Sequence, residues 1–139
     1  GLVNKDGSKK TECGIHVEGA EKTFDRDLWE SSEVVKTLGS PAEVDELLES
    51  GKEAIVAVYA PWCQFCQAME EEFDTFAAQS DVPVYKFRGD EERVYVESKL
   101  NTKSFPTVNK VEGGTATKYE SEVRTVEAFN NFAKGKVAA

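Results

Sequence analysis

The sequence predicts an α/β fold, with a central mixed β-sheet flanked by helices on both faces. Three observations carry that prediction. Residues 54–60 form an unbroken apolar run of strand length, as expected for a strand buried on both faces. Stretches of helical periodicity separate this run from the other strand-like segments, giving the order β-α-β-α-β-α-β-β-α. Near the end, two strand-like stretches meet at Gly113-Gly114, which reads as a hairpin. Crossover helices favour parallel strands early in the chain, and the hairpin adds an antiparallel pair.

Each element has its own signal. Val34, Val35 and Leu38 mark a short first strand over residues 33–38. Ser40-Pro41-Ala42-Glu43 is a helix start, with Ser at the N-cap, Pro at the first helical position and Glu at the third. Val44, Leu47 and Leu48 continue it at helical spacing, and Gly51 stops it. After the 54–60 strand, Phe65, Met69, Phe73 and Phe76 form one apolar stripe, predicting a helix over 63–78. Residues 82–88 read as a second buried strand and 91–100 as a helix. Residues 106–111 and 115–119 are the hairpin strands, with Asn109 and Lys110 standing out as polar where a buried strand would be apolar. Val126, Phe129 and Ala133 form the stripe of a last helix, capped by Thr125 and ended by Gly135.

The chain has 139 residues, 40% of them apolar, enough for one compact domain. That domain is expected over residues 33–139. Residues 1–32 hold four glycines, many charges and few aliphatics, and read as an extended or loosely ordered tail. The net charge of −9 argues against a nucleic-acid or anionic-membrane surface. The longest apolar run, seven residues, is far too short to span a bilayer. Three cysteines are an odd set for a disulfide-stapled secreted domain, which favours a reducing compartment.

The chemistry concentrates at Trp62-Cys63-Gln64-Phe65-Cys66. Two thiols three positions apart sit between an apolar strand and the start of a helix. Unpaired backbone N–H groups and the positive end of the helix dipole favour thiolate over thiol there. The second thiol can close a disulfide with the first. A zinc site is the competing reading, since Cys13 and His16, spaced C-x-x-H, would complete a Cys3His set. A C-x-x-C near a βαβ pattern favours redox chemistry instead and no bound metal.

Tyr59-Ala60-Pro61-Trp62-Cys63-Gln64-Phe65-Cys66 resembles the active-site segment of the thioredoxin superfamily. Ser104-Phe105-Pro106-Thr107, whose proline lies 40 residues after Cys66, resembles that family's cis-proline loop. The resemblance covers about residues 33–136 and implies the thioredoxin fold. It also implies that Cys63 is the attacking thiolate, Cys66 the resolving thiol, Trp62 an aromatic flank and Pro106 a cis proline facing the disulfide. Thioredoxins carry a buried Asp six residues before the first cysteine, and disulfide isomerases a Glu; here that position is Ala57. With Phe65 before the second cysteine, this moves the pattern toward glutaredoxins.

In the tail, Glu12-Cys13-Gly14-Ile15-His16 resembles the carboxy-terminal signature of the sulfonucleotide reductases. Its place directly ahead of a thioredoxin-like domain is similar to the order in plant-type adenylylsulfate reductases. That resemblance implies that Cys13 takes the sulfonate from adenylylsulfate, with His16 helping to bind substrate. It implies glutathione as electron donor and the reductase domain of the same polypeptide as partner. A [4Fe-4S] cluster is expected only in that domain, outside this chain, and no cofactor within it. It also implies sulfate assimilation, cysteine biosynthesis and a chloroplast stroma location. Two other readings stay open: a disulfide isomerase-type domain of the secretory pathway, and a redox-silent or zinc-binding interaction module.

Overall fold

The computed structural model describes residues 13–14, 26–120 and 123–134. The elements run β1 (Cys13–Gly14), β2 (Val35–Thr37), α1 (Pro41–Ser50), β3 (Ala54–Tyr59), α2 (Gln64–Gln79), β4 (Val84–Arg88), α3 (Arg93–Lys99), β5 (Ser104–Phe105), β6 (Thr107–Glu112), β7 (Thr115–Lys118) and α4 (Val126–Ala133). Five strands form one sheet in the order β2-β4-β3-β6-β7. β2, β4 and β3 are parallel, and β6 and β7 are antiparallel to their neighbours. This is the mixed sheet expected from the crossovers and the hairpin.

All six residues of β3 are buried, because β3 is central and helices cover both faces. On one face, Phe73 and Phe76 of α2 meet Phe129 of α4, with ring centroids 5.4 and 5.6 Å away. On the other, Phe87 of β4 meets Tyr95 of α3, whose hydroxyl donates to Pro41 O and Asp45 Oδ1 of α1. The caps follow the local chemistry. Ser40 Oγ accepts from Glu43 N, Thr125 Oγ1 accepts from Ala128 N, and Gly51 ends α1 at φ 70°. Among the described residues no helix is long and apolar enough to cross a membrane.

Three features depart from the sequence reading. Residues 26–32, assigned above to the tail, dock on the domain, and Leu28 and Trp29 lie in its core. Trp29 stacks edge-on against Tyr59 at 5.5 Å and meets Phe73 at 5.3 Å. Glu70 of α2 holds this segment, accepting from Trp29 N at 2.7 Å and from Arg26 Nη2 at 2.9 Å. Asn109 is fully buried yet paired: its Nδ2 donates to Leu100 O and its Oδ1 accepts from Asn101 Nδ2. It ties the α3–β5 loop to β6, which a leucine could not do. Lys110 reaches the sheet margin, 3.2 Å from Glu53 and 3.7 Å from Glu112. Last, β1 and β5 form a two-stranded sheet of their own, within a stretch read as loosely ordered.

Candidate active site

The site is built at the carboxyl ends of β3 and β4, where an open α/β sheet offers a crevice. β3 ends at Tyr59, and the turn over residues 60–63 is closed by Cys63 N donating to Ala60 O at 3.1 Å. Cys63 is the N-cap of α2, and no side chain caps that end. The first N–H groups of the helix have no side-chain partner, and with the helix dipole they favour negative charge at this end of α2.

Opposite α2 stands the loop carrying Pro106. The Phe105-Pro106 peptide bond is cis, as the family motif implies. Phe105 is fully buried, and its carbonyl oxygen lies 3.6 Å from Cys63 Sγ. Gly89 leaves room for this approach: a Cβ there would lie 2.6 Å from Val58 Cγ1 and 2.8 Å from Phe105 Cε1.

Trp62 is half-buried and packs edge-on against Phe105. Its Nε1 donates to Asp90 Oδ2 at 2.8 Å, and Arg88 Nε donates to Asp90 Oδ1 at 2.7 Å. Asp90 is thus a buried carboxylate that fixes the aromatic flank. Sequence reasoning did not single it out. The available signal was its place just past the carboxyl end of a buried parallel strand. Phe65, in the first turn of α2, is half-buried against the core and helps seat the helix start.

Cys66 is fully buried and free. Burial pushes its thiol up to about 12, against weaker opposing effects of the Ala60 backbone and the Arg124 charge. Ala57, which stands six residues before Cys63, is also fully buried. Its partner across the parallel register is Lys86. Lys86 is buried as well, and turns to the docked segment instead. Its Nζ donates to Leu28 O, lies 3.3 Å from Asp27 Oδ2 and sits 5.7 Å from the Tyr59 ring centroid. Asp27 Oδ1 accepts from Tyr59 Oη at 2.6 Å, and burial and Asp27 both raise the Tyr59 phenol. The cation that a carboxylate at position 57 would face is thereby engaged by residues 27 and 28.

The third cysteine is brought to the same place. Cys13 is disulfide-bonded to Cys63, with Cα atoms 6.0 Å apart. β1 lies antiparallel on β5, Cys13 opposite Phe105 and Gly14 opposite Ser104. The three cysteines expected to carry the chemistry therefore converge, together with Trp62 and Pro106. The bond between Cys13 and Cys63 takes both sulfurs from any Cys3His metal set, and among the described residues no cluster of His, Cys, Asp and Glu could hold a metal ion. His16 lies outside the described residues.

A helix-capping C-x-x-C that faces a cis proline across the end of a mixed sheet defines a thiol–disulfide oxidoreductase of the thioredoxin type. The chain belongs to the thioredoxin family, whose Thioredoxin domain matches residues 34–135. Among individual relatives, 5'-adenylylsulfate reductase 1, chloroplastic, of Arabidopsis thaliana is 35% identical over 146 residues, covering 91% of this chain and 31% of that protein. Protein disulfide isomerase-like 1-1 of Arabidopsis thaliana is 35% identical over 107 residues, covering 74% of this chain and 21% of that protein. The chain thus spans less than a third of the length of either relative. The solved J-Trx1 fragment of ERdj5 shares the fold, with a TM-score of 0.70 and 24% identity over 80% of this chain and 55% of that one. The likeness to plant adenylylsulfate reductases, expected from Cys13 ahead of the C-x-x-C, is borne out.

Proposed function

We propose that this chain passes electrons from glutathione to a sulfonated Cys13, as the reducing end of an adenylylsulfate reductase. The carrying observation is the Cys13–Cys63 disulfide, laid in strand register against the loop before Pro106. In the intact protein a reductase domain outside this chain, the one expected to hold a [4Fe-4S] cluster, presents adenylylsulfate. Cys13 thiolate takes the sulfonate and AMP leaves. Cys63 thiolate then attacks the Cys13 sulfur; the S–S bond forms and the sulfur–sulfonate bond breaks, releasing sulfite. Cys66 thiolate attacks Cys63, closing the Cys63–Cys66 disulfide and returning Cys13 as thiolate. Two glutathione molecules reduce that disulfide and leave as glutathione disulfide. Such a function belongs to sulfate assimilation, and the chloroplastic reductase relatives support a plastid location for it.

The test is direct. The chain is sulfonated at Cys13 and mixed with glutathione, and sulfite is assayed. The expected result is one sulfite per chain, lost on Cys63→Ser. Sulfite release by that variant at the unmodified rate would refute the proposal.

The 35% identity to a disulfide isomerase-like protein favours a second reading, in which the C-x-x-C rearranges disulfides of other proteins. Refolding of a scrambled disulfide protein separates the two. Efficient isomerisation without glutathione-linked reduction supports the second.

A further inference from the structure

The tail that carries Cys13 is rooted on the helix that carries Cys66 and is capped by Cys63. Four hydrogen bonds from Arg26 and Trp29 end on one residue of α2. Glu70 Oε1 accepts from Arg26 Nη2 at 2.9 Å, and Oε2 accepts from Arg26 Nη1 at 3.1 Å and from Trp29 N at 2.7 Å. The Glu70 backbone oxygen accepts from Trp29 Nε1 at 2.7 Å. The Arg26 guanidinium holds the Glu70 carboxyl below its ordinary value, which keeps it an acceptor at neutral pH. Ser32 Oγ donates to Asp74, one turn further along α2. Trp29 stands at φ 53°, a left-handed backbone that a tryptophan keeps only where its surroundings hold it. Glu70 follows Cys63 by seven positions, so this root sits roughly 10 Å along the helix axis from it.

Docking thereby sets the length of chain that delivers Cys13. Arg26 is 13 positions after Cys13, whereas Val35, where β2 begins, is 22 positions after it. Fully extended, the shorter stretch spans at most about 45 Å and the longer about 75 Å. The effective concentration of a tethered group falls with roughly the 3/2 power of tether length or more steeply. A root at Arg26 therefore raises it about two- to fivefold over a root at β2.

We propose that Glu70 is a positioning residue for Cys13, fixing the root of the tail on α2 so that Cys13 works from the shorter tether whether or not it is bonded to Cys63. This rests on Cys13 being the client of Cys63, and it adds a limit on the partner. The domain that hands Cys13 its sulfonate must bring that sulfur within about 45 Å of Arg26.

The experiment measures the effective concentration of Cys13 at Cys63 in the full chain carrying Cys66→Ser. Two equilibrium constants are read in glutathione buffers by acid quenching and peptide mapping. One is for closing the Cys13–Cys63 bond. The other is for bonding free N-acetylcysteine to Cys63 with Cys13→Ser added. Their ratio is the effective concentration, and Glu70→Ala should lower it about two- to fivefold. Both constants are read with the same residue at position 70, so a change in the reactivity of Cys63 itself cancels. An unchanged ratio overturns the proposal. A ratio below the millimolar range with Glu70 in place counts against the relay itself. A second measurement does not depend on the folding of Glu70→Ala. In Cys13→Ser, which cannot form the bond, the Trp29 amide should exchange with deuterium about a hundredfold or more slower than in a free peptide. Exchange at the free-peptide rate overturns the proposal, because the root then exists only with the disulfide.

Discussion

The resolving step should be unusually sensitive to pH, and the burial of Cys66 sets how sensitive. Its thiol is pushed from an ordinary 9.0 up to about 12, chiefly because no water solvates the thiolate. At pH 7 the deprotonated fraction is then on the order of one in 10⁵, against one in 10² for an ordinary thiol. The rarer thiolate is the better nucleophile: with a Brønsted coefficient of about 0.4–0.5, three pH units of basicity return roughly 15- to 30-fold. The net slowing relative to a solvated thiol is about 30- to 60-fold at pH 7. The sign follows from the direction of the shift. Thiolate increases as pH rises toward the raised value, so the first-order rate of Cys13 release should climb about tenfold per pH unit from pH 6 to 9, without levelling off. Rapid acid quenching of the chain sulfonated at Cys13, followed by disulfide mapping, reads this rate. A plateau near pH 8 to 9 would mean that the Cys66 thiol is solvated and ordinary. A pH-independent rate would mean that a neighbouring group takes the proton. Either result refutes the reasoning.

Three further outcomes follow from single contacts. Gly89→Ala places a Cβ 2.6 Å from Val58 Cγ1 and 2.8 Å from Phe105 Cε1, so it should cost about 1–3 kcal/mol in urea unfolding and lower the yield of the Cys13–Cys63 bond. Lys86→Met strips the cation from Leu28 O and Asp27; about 2 kcal/mol should be lost, with hydrogen exchange faster across residues 26–32 than elsewhere. Asp90→Asn weakens the clamp on Trp62 and Arg88, and should cost about 1–3 kcal/mol and slow glutathione-linked disulfide reduction while leaving the Cys13–Cys63 register intact.

Much of this architecture can be read in the residues. The apolar run around Val56 reads as a central strand, and Ser40-Pro41-Ala42-Glu43 as the start of a helix. The C-x-x-C followed by a Phe-Pro-Thr loop located the catalytic crevice. What escaped reading shares a physical cause: its meaning lies in partners distant in sequence. Leu28 and Trp29 are two apolar residues among charges, without periodicity, and gain their place from Tyr59, Phe73 and Glu70. Asn109 breaks the apolar pattern of β6 because it must pair with Leu100 and Asn101. β1 is two residues long, too short for any alternation, and it exists as a strand through the β5 edge and the bond to Cys63. Ala57 drew notice as a missing carboxylate, but the fate of its neighbour Lys86 became visible only with Asp27 and Leu28 in place.

The central claim is that Cys63 draws its client from the same chain. Its most direct test is a stoichiometry without added thiol. Cys66→Ser is sulfonated at Cys13 with Cys63 reduced, gel-filtered free of reductant and incubated alone. The relay predicts one sulfite released per chain, in step with one Cys13–Cys63 disulfide found by peptide mapping, at a rate independent of protein concentration. Sulfite that stays bound until glutathione is added would contradict it.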